Sequence, residues 1–329
     1  MSEYQCYQWK RVGRSLSSKQ RKEVSSLSSH ISVTADSAEV TYNWGNFKHD
    51  PLVVLAQYFD IFLYEANWGT QRVGFRFDLD AVDADQLAGF AVGESLEIKK
   101  TEESIFIEVW FEENWIDAFY SYYDQDEGGD RLRLEAFESI YYQIQQGDYR
   151  GLFLLWLKGC ELSPKDSEKV ALPKGMATLE EEHRILVDFV GVNKRLIKLA
   201  SEQSRPLPEK KEVGESLEIH FSKLPVDKKE DYIRRLTSED AYTVQSELKR
   251  ELRKLGNVQA PNYLGDLISY GDLANAAEHE AQQEARRAQE EKERRRKEYL
   301  TELGQRENDL LDRVHQLFCL LYTSDAADD

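Results

Sequence analysis

Cysteine is scarce in this sequence, with 3 among 329 residues. Three scattered cysteines are too few for the disulfide framework that holds small secreted domains together. We therefore expect Cys6 and Cys160 to be buried thiols of a protein from a reducing compartment.

Long apolar runs are also missing. The longest one extends from Leu152 to Leu157, whereas a membrane-spanning helix needs roughly 18 consecutive apolar residues. The opening residues, Met1 to Gln5, carry neither the basic nor the apolar segment of a secretory signal. These absences predict a cytoplasmic protein with no membrane partner.

The sequence lacks the usual signatures of catalysis and metal binding. The six histidines are isolated from one another and from cysteine, so no zinc-binding spacing exists. No glycine-rich phosphate loop, nucleophile elbow or His-Glu-x-x-His motif occurs. We therefore predict no cofactor and favour a non-enzymatic protein, while a missing motif alone leaves an enzyme open.

Acidic residues far outnumber basic ones, 61 against 43, which gives a net charge of −18. The excess is concentrated between Glu94 and Asp148, where fifteen acidic residues stand against four basic ones. Such a segment repels nucleic acid and anionic membranes and attracts basic protein partners. The alternative is an acidic surface that is only solvated. The basic cluster at 294–297 lies among glutamates at helical spacing and predicts intrahelical ion pairs, not nucleic-acid binding.

Hydrophobic periodicity predicts an α+β fold. We expect an aromatic-rich N-terminal domain, with an antiparallel or mixed sheet and packed helices, followed by an all-α region that ends in a long charged helix. Apolar residues alternate with Glu108 and Glu112 from Ile105 to Phe111, which is typical of a strand with one buried face. All six tryptophans lie at or before Trp156, so the first core should end there.

The same patterns predict the domain organisation. Ser163 to Gly175 is polar and suggests a linker, and everything beyond it has helical periodicity, with Leu179 to Leu199 as one amphipathic segment. From Leu273 to about Gly304 a narrow alanine seam runs along a charged helix. The predicted segments are an α+β domain (1–160), a linker (161–178), a helical region (179–271), a long charged helix (272–318) and a tail (319–329).

Several helix starts have local signals. Ser17 and Gln20 form a capping box, and Asp50 precedes a proline at the first helical position. Asp148 is predicted to cap the apolar helix that contains Leu152 to Leu157.

Two Asn-Trp-Gly pieces, at 43–45 and 67–69, each follow a predicted strand. Trp44 and Trp68, together with Tyr64 and Arg72, form a candidate ligand-binding cleft. In the alternative interpretation, which we favour, Asn and Gly supply left-handed turn conformations while Trp packs beneath them.

One acidic stretch nearly matches a twelve-residue calcium loop. Asp124 and Asp126 occupy the first and third positions, Asp130 the seventh and Glu135 the twelfth. Gly128 occupies a position where calcium loops place an oxygen ligand. The alternative is an acidic turn in which Asp130 caps the following helix, and this is the interpretation we favour.

The pieces Asn67-Trp68-Gly69-Thr70 and Gly147-Asp148-Tyr149-Arg150 are the most distinctive parts of a resemblance that covers most of the chain. With them the sequence resembles a family of uncharacterised bacterial proteins. The resemblance implies a cytoplasmic bacterial origin and a native helical C-terminus beyond residue 318, and it implies no activity. Residues 319–329 instead resemble translated sequencing-adaptor sequence and are predicted to be non-native.

Two hypotheses about function remain open. The first is a non-enzymatic interaction or accessory protein whose acidic face and long helix bind a protein partner. The second is an enzyme or ligand-binding protein whose site is lined by Trp, Tyr and Arg side chains of the N-terminal domain.

Overall fold

The computed structural model describes residues 3–112, 129–163, 168–208, 220–238, 241–256 and 262–324. The chain divides into two compact units, 1–274 and 275–329. The first unit contains a seven-stranded antiparallel sheet with helices, so the predicted α+β class is confirmed.

The strands of the large sheet are β1 (Gln5–Lys10), β2 (Ser32–Val33), β3 (Ser37–Tyr42), β4 (Ile61–Ala66), β5 (Thr70–Asp78), β6 (Leu96–Lys100) and β7 (Ser104–Glu112). They lie in the order β2-β3-β1-β4-β5-β7-β6, and every neighbouring pair is antiparallel.

Helices of the first unit flank this sheet and follow it in the chain. They are α1 (Ser18–Ser25), α2 (Pro51–Tyr58), α3 (Ala84–Ala88), α4 (Gly129–Gln145), α5 (Arg150–Leu162), α6 (Glu181–Val190), α7 (Lys194–Gln203), α8 (Val226–Ser238) and α9 (Ala241–Gly256). A short 3-10 turn, Met176–Thr178, precedes α6.

The strand register gives the sheet a separate aromatic core on each face. On one face Trp9 stacks on Phe62 with ring centroids 5.5 Å apart, and Leu55 of α2 belongs to the same cluster. Phe77 lies on the opposite face and stacks on Tyr141 of α4 at 4.4 Å. Because side chains alternate along a strand, each strand can contribute to both cores.

The locally encoded helix starts agree with the sequence. The Ser17 hydroxyl accepts a hydrogen bond from the Gln20 N–H, and the Gln20 amide oxygen accepts one from the Ser17 N–H. Asp50 caps α2 through the Leu52 N–H. Asp148 differs from the prediction in position, because Tyr149 is the N-cap of α5. Its Oδ1 nevertheless accepts the backbone N–H of Arg150, the first residue of the helix, and its carboxylate also binds the Arg150 guanidinium group.

Three predictions about the region beyond residue 163 are wrong. The predicted linker contains β8 (Lys169–Pro173), and the predicted all-helical region contains β9 (Leu264–Ser269), which pairs with β8 as an antiparallel ribbon. The segment from Leu179 to Leu199 is not one helix. Gly191 adopts φ of 66°, which ends α6, and the Asn193 side chain caps α7 through the Arg195 N–H.

The long helix α10 (Tyr270–Ser324) begins at the end of the first unit and makes up the described part of the second. It continues through Gly304, beyond the end suggested by the alanine seam. Among the described residues, no helix combines the length and apolarity that crossing a membrane requires.

Candidate functional site

The four residues of the predicted ligand cleft lie around the β4–β5 hairpin and the loop after β3. Tyr64 and Arg72 are register partners on β4 and β5, so their side chains lie side by side on one face of the sheet. Trp68 is half-buried in the hairpin turn and packs against the aromatic cluster of that face. Trp44 is 72% exposed, and no contact joins it directly to the other three among the described residues.

Arg72 already has partners on the sheet surface. Its guanidinium carbon lies 4.7 Å from the centroid of the Trp110 ring, and Nη2 lies 2.5 Å from Oε1 of Glu108. These contacts combine a cation–π interaction with a charge-assisted hydrogen bond. Sequence reasoning missed Trp110 and Glu108 as neighbours of Arg72, because both belong to β7 and only the sheet register reveals them.

Gln5 connects Tyr64 to the loop that carries Trp44. The hydroxyl groups of Tyr7 and Tyr64 both donate to Gln5 Oε1, at 2.8 and 3.1 Å. The Gln5 amide donates in turn to the Gly45 carbonyl at 2.6 Å. Burial, followed by the proximity of Tyr7, raises the pKa of Tyr64. This hydroxyl is therefore neutral and serves as a structural hydrogen-bond donor.

Both Asn-Trp-Gly pieces form turns with a left-handed glycine. Gly45 has φ of 77° and Gly69 has φ of 91°, a conformation that costs little for glycine alone. Tyr4 N–H donates to the Asn67 side chain at 3.1 Å, which ties the second turn to the start of β1. Asn67 and the two glycines therefore shape and anchor these turns. Trp68 packs against the cluster as predicted, but Trp44 is exposed and does not pack beneath its turn.

The candidate calcium loop is only partly within the described residues. Asp124 and Asp126 lie outside them, and Asp130 belongs to the first turn of α4, where its side chain is not described. Glu135 is exposed on α4. The calcium site remains a prediction.

A cluster that sequence reasoning missed forms where α4, α5 and α6 meet. Arg150, 3% exposed, donates from Nε and Nη2 to the Asp148 carboxylate and from Nη1 to the Thr178 carbonyl at 2.7 Å. Its Nη2 lies 3.3 Å from Glu180. The Gln143 amide donates to both Glu180 and Glu182. The one sequence signal was the Gly-Asp-Tyr-Arg piece, which indicates neither Glu180 nor Gln143.

His183 completes this cluster from the first turn of α6. It is fully buried, and its Nδ1 accepts a hydrogen bond from the Glu180 N–H at 3.3 Å. Burial and then the charge of Arg150 lower the pKa of His183 to about 4. The imidazole is therefore neutral at physiological pH.

Glu180, Glu182 and His183 bring one ligand atom each within 4.8 Å of one another, which makes them a candidate metal cluster of the described chain. Catalytic zinc sites use three protein ligands, so one histidine nitrogen and two carboxylates would match zinc in the number of ligands. Arg150 and Gln143 already donate to these carboxylates, however, and the Arg150 charge repels a cation. The cluster is better suited to joining three helices than to binding metal.

Lys158 and the two buried cysteines lie outside this cluster. Lys158 donates to the carbonyl of Gly191 at 2.9 Å, at the negative end of α6, and burial lowers its pKa. Cys6 and Cys160 are buried, as predicted, and burial raises the pKa of the Cys160 thiol to about 12. A thiol with that pKa is a poor nucleophile.

Comparisons of the chain with protein-family models, curated proteins and solved structures gave no match. None of the clusters described above places a nucleophile beside a general base, which is the arrangement that covalent catalysis requires.

Proposed function

We propose that this protein is a non-enzymatic interaction protein that binds a partner protein through the C-terminal part of α10. One observation carries the proposal: large apolar side chains between 299 and 318 are exposed on this helix. They are Tyr299, Leu300, Leu303, Leu310, Leu311, Val314, Leu317 and Phe318. We call this set the distal apolar face.

The distal apolar face is continuous around the helix axis. At 3.6 residues per turn its members occupy an arc of about 120°, the width typical of a helix that packs against another element. Each such side chain gains about 1.5–3 kcal/mol when it is fully buried. Glu307 lies inside the arc and separates Leu303 from Leu310. The strongest anchors should therefore be Leu310, Val314 and Leu317, in the i, i+4, i+7 pattern of helix-in-groove recognition.

The preceding part of α10 has the opposite character. From Glu278 to Glu298 seven acidic residues balance seven basic ones. Intrahelical ion pairs such as Arg286 with Glu290 and Arg295 with Glu291 occupy its surface. These pairs support an isolated helix by a few tenths of a kcal/mol each, about 0.2–0.5. The segment behaves as a solvated spacer that carries the distal apolar face.

The enzyme or ligand-binding alternative has less support. Tyr64 donates to Gln5, and Nη2 of Arg72 pairs with Glu108, so these two groups of the predicted cleft are engaged within the sheet, although Nε of Arg72 has no hydrogen-bond partner among the described residues. The scarcity of cysteine and the acidic composition support a cytoplasmic location and a partner with basic surface.

Photo-crosslinking from two adjacent positions tests the proposal. A benzophenone amino acid replaces Leu311, inside the distal apolar face, or Asp312, about 100° away around the helix. We expect a discrete protein adduct from position 311 and little from 312, either with a second copy in purified protein or with another protein in cell extract. The Leu310→Glu/Leu317→Glu variant should abolish the adduct from position 311. Equal yields from both positions, or no adduct from either, would contradict the proposal.

A further inference from the structure

Three arginines surround a single buried carboxylate at the end of the sheet where β1, β4 and β5 meet. The carboxylate is Asp60, which lies just before β4 and is almost fully buried. Its Oδ2 accepts the Val12 N–H at 3.0 Å, which anchors the chain after β1. Arg11 and Arg14 flank that anchor, and Arg76 comes from β5.

Arg76 and Arg14 approach the same oxygen of Asp60. Nη1 of Arg76 lies 2.8 Å from Oδ1, and Nη2 of Arg14 lies 3.5 Å from it. The first distance is a charge-assisted hydrogen bond, whereas the second is too long for a strong one. The Arg14 side chain is half exposed to solvent.

Arg11 has unused donor capacity. Its Nη1 donates to the Tyr58 carbonyl at 3.3 Å, and it forms no salt bridge with a carboxylate of the described chain. Its Nε is buried and has no hydrogen-bond partner among the described residues. A buried donor on a charged group is costly to leave unmatched. Burial and then the charges of Arg14 and Arg76 lower the pKa of Arg11, and Asp60 only partly offsets them.

The charge balance of the cluster favours an anion. Asp78, the second carboxylate that contacts these arginines among the described residues, lies 3.1 Å from Nη2 of Arg76 and is more than half exposed. Within the described part of the chain, three guanidinium groups therefore stand against two contacting carboxylates, a local positive excess in a protein whose net charge is −18. Planar guanidinium groups match the oxygens of phosphate well.

We infer that Arg11, Arg14 and Arg76 form a binding site for a phosphate group beside Asp60, whose carboxylate contacts Arg76 and Arg14. The phosphate belongs either to free inorganic phosphate or to a small phosphate monoester, because both present the same oxygens. This inference is independent of the distal apolar face on α10.

Calorimetric titration of the full-length chain tests the site with two probes, inorganic phosphate and phenyl phosphate, at constant ionic strength. We expect saturable one-site binding with a dissociation constant of about 1 mM or lower. Arg14→Gln and Arg11→Gln should each weaken it at least about tenfold, the effect of losing one charge-assisted hydrogen bond. Asp78→Asn should tighten binding, because it removes a competing carboxylate from Arg76. The matched control is Arg21→Gln, an exposed arginine on α1.

The two probes distinguish the two sources of the phosphate group. Tighter binding of phenyl phosphate assigns the site to phosphate esters, and tighter binding of inorganic phosphate assigns it to the free ion. Both results support the site if Arg14→Gln weakens binding while circular dichroism shows an unchanged fold. The inference would be overturned if neither probe showed saturable binding, or if Arg21→Gln weakened binding as much as Arg14→Gln.

Discussion

Asp148 and Arg150, two residues apart, form a two-pronged ion pair in which Nε lies 3.0 Å from Oδ1 and Nη2 lies 2.7 Å from Oδ2. The pair is local in sequence, but it organises distant elements, because the same guanidinium group also reaches the Thr178 carbonyl and Glu180. The first turn of α5 and the first turn of α6 therefore meet at one buried charge.

Removing the carboxylate should destabilise the protein strongly. In Asp148→Asn the Arg150 charge stays buried but loses its main counter-ion, so we expect a loss of about 3–5 kcal/mol in the free energy of unfolding. Urea denaturation measures this change. Asp188→Asn is the control: its pair with Lys194 is highly exposed, with 3.8 Å between the charged atoms, and should contribute less than about 1 kcal/mol. Equal effects of the two substitutions would show that Arg150 does not depend on Asp148.

His183 should make the protein sensitive to acid. Its folded pKa of about 4 lies below the ordinary value of 6.5, so the unfolded chain binds the proton more readily. The contribution of neutral His183 to the free energy of unfolding is fully present above pH 6.5. It is lost as the pH falls towards 4, by about 3 kcal/mol in all. Over this pH window the free energy of unfolding of His183→Gln should fall by about 3 kcal/mol less than that of the wild type. His279→Gln, on the exposed helix, should follow the wild type. Parallel curves for wild type and His183→Gln would refute this assignment.

Sequence alone predicted the features whose causes are local. Ser17 and Asp50 were recognisable as caps because the groups they bind lie within three residues. The strand β7 was predicted because its apolar residues alternate with Glu108 and Glu112. Both features depend on neighbours that the pattern itself contains.

The missed features depend on partners far away in the chain. The strand β8 is short, and its partner β9 is distant in the chain, since Val170 pairs with Ile268. Its hydrophobic pattern could not distinguish a strand from a loop without that partner. The arginine cluster joins residues from three separate segments around Asp60, and Arg150 reaches Glu180 only through tertiary packing. Such sites leave no spacing that sequence reasoning can detect.

Gly151 should be intolerant of even a methyl group. A Cβ on Gly151 would lie 2.8 Å from Cγ2 of Ile140, where α5 crosses α4. Alanine gains about 1 kcal/mol in helix propensity over glycine, but overpacking in a buried contact costs about 1–3 kcal/mol. We therefore expect Gly151→Ala to be destabilising overall.

The matched control lies in the same helix. A Cβ on Gly159 would meet Val92 at 3.5 Å, an ordinary van der Waals distance. Gly159→Ala should therefore be neutral or stabilising in guanidinium chloride denaturation. If Gly151→Ala were as stable as Gly159→Ala, the close approach of α4 and α5 would not be limiting.

Two truncated chains should show how much of α10 the thermal stability of the protein requires. Side chains beyond Gln289 are almost all exposed, so a chain that ends there should keep its thermal midpoint within about 2–4 °C, the equivalent of 1 kcal/mol or less. Ending the chain before Tyr270 should have a much larger effect. Tyr270 packs edge-on against Trp156 with centroids 6.3 Å apart, and Leu273 is also buried. Loss of two such side chains costs several kcal/mol, about 5 or more, which corresponds to a drop of at least about 10 °C. Differential scanning calorimetry of the two truncated chains measures the contrast, and a large drop for the chain that ends at Gln289 would show that the exposed part of α10 contributes to the fold.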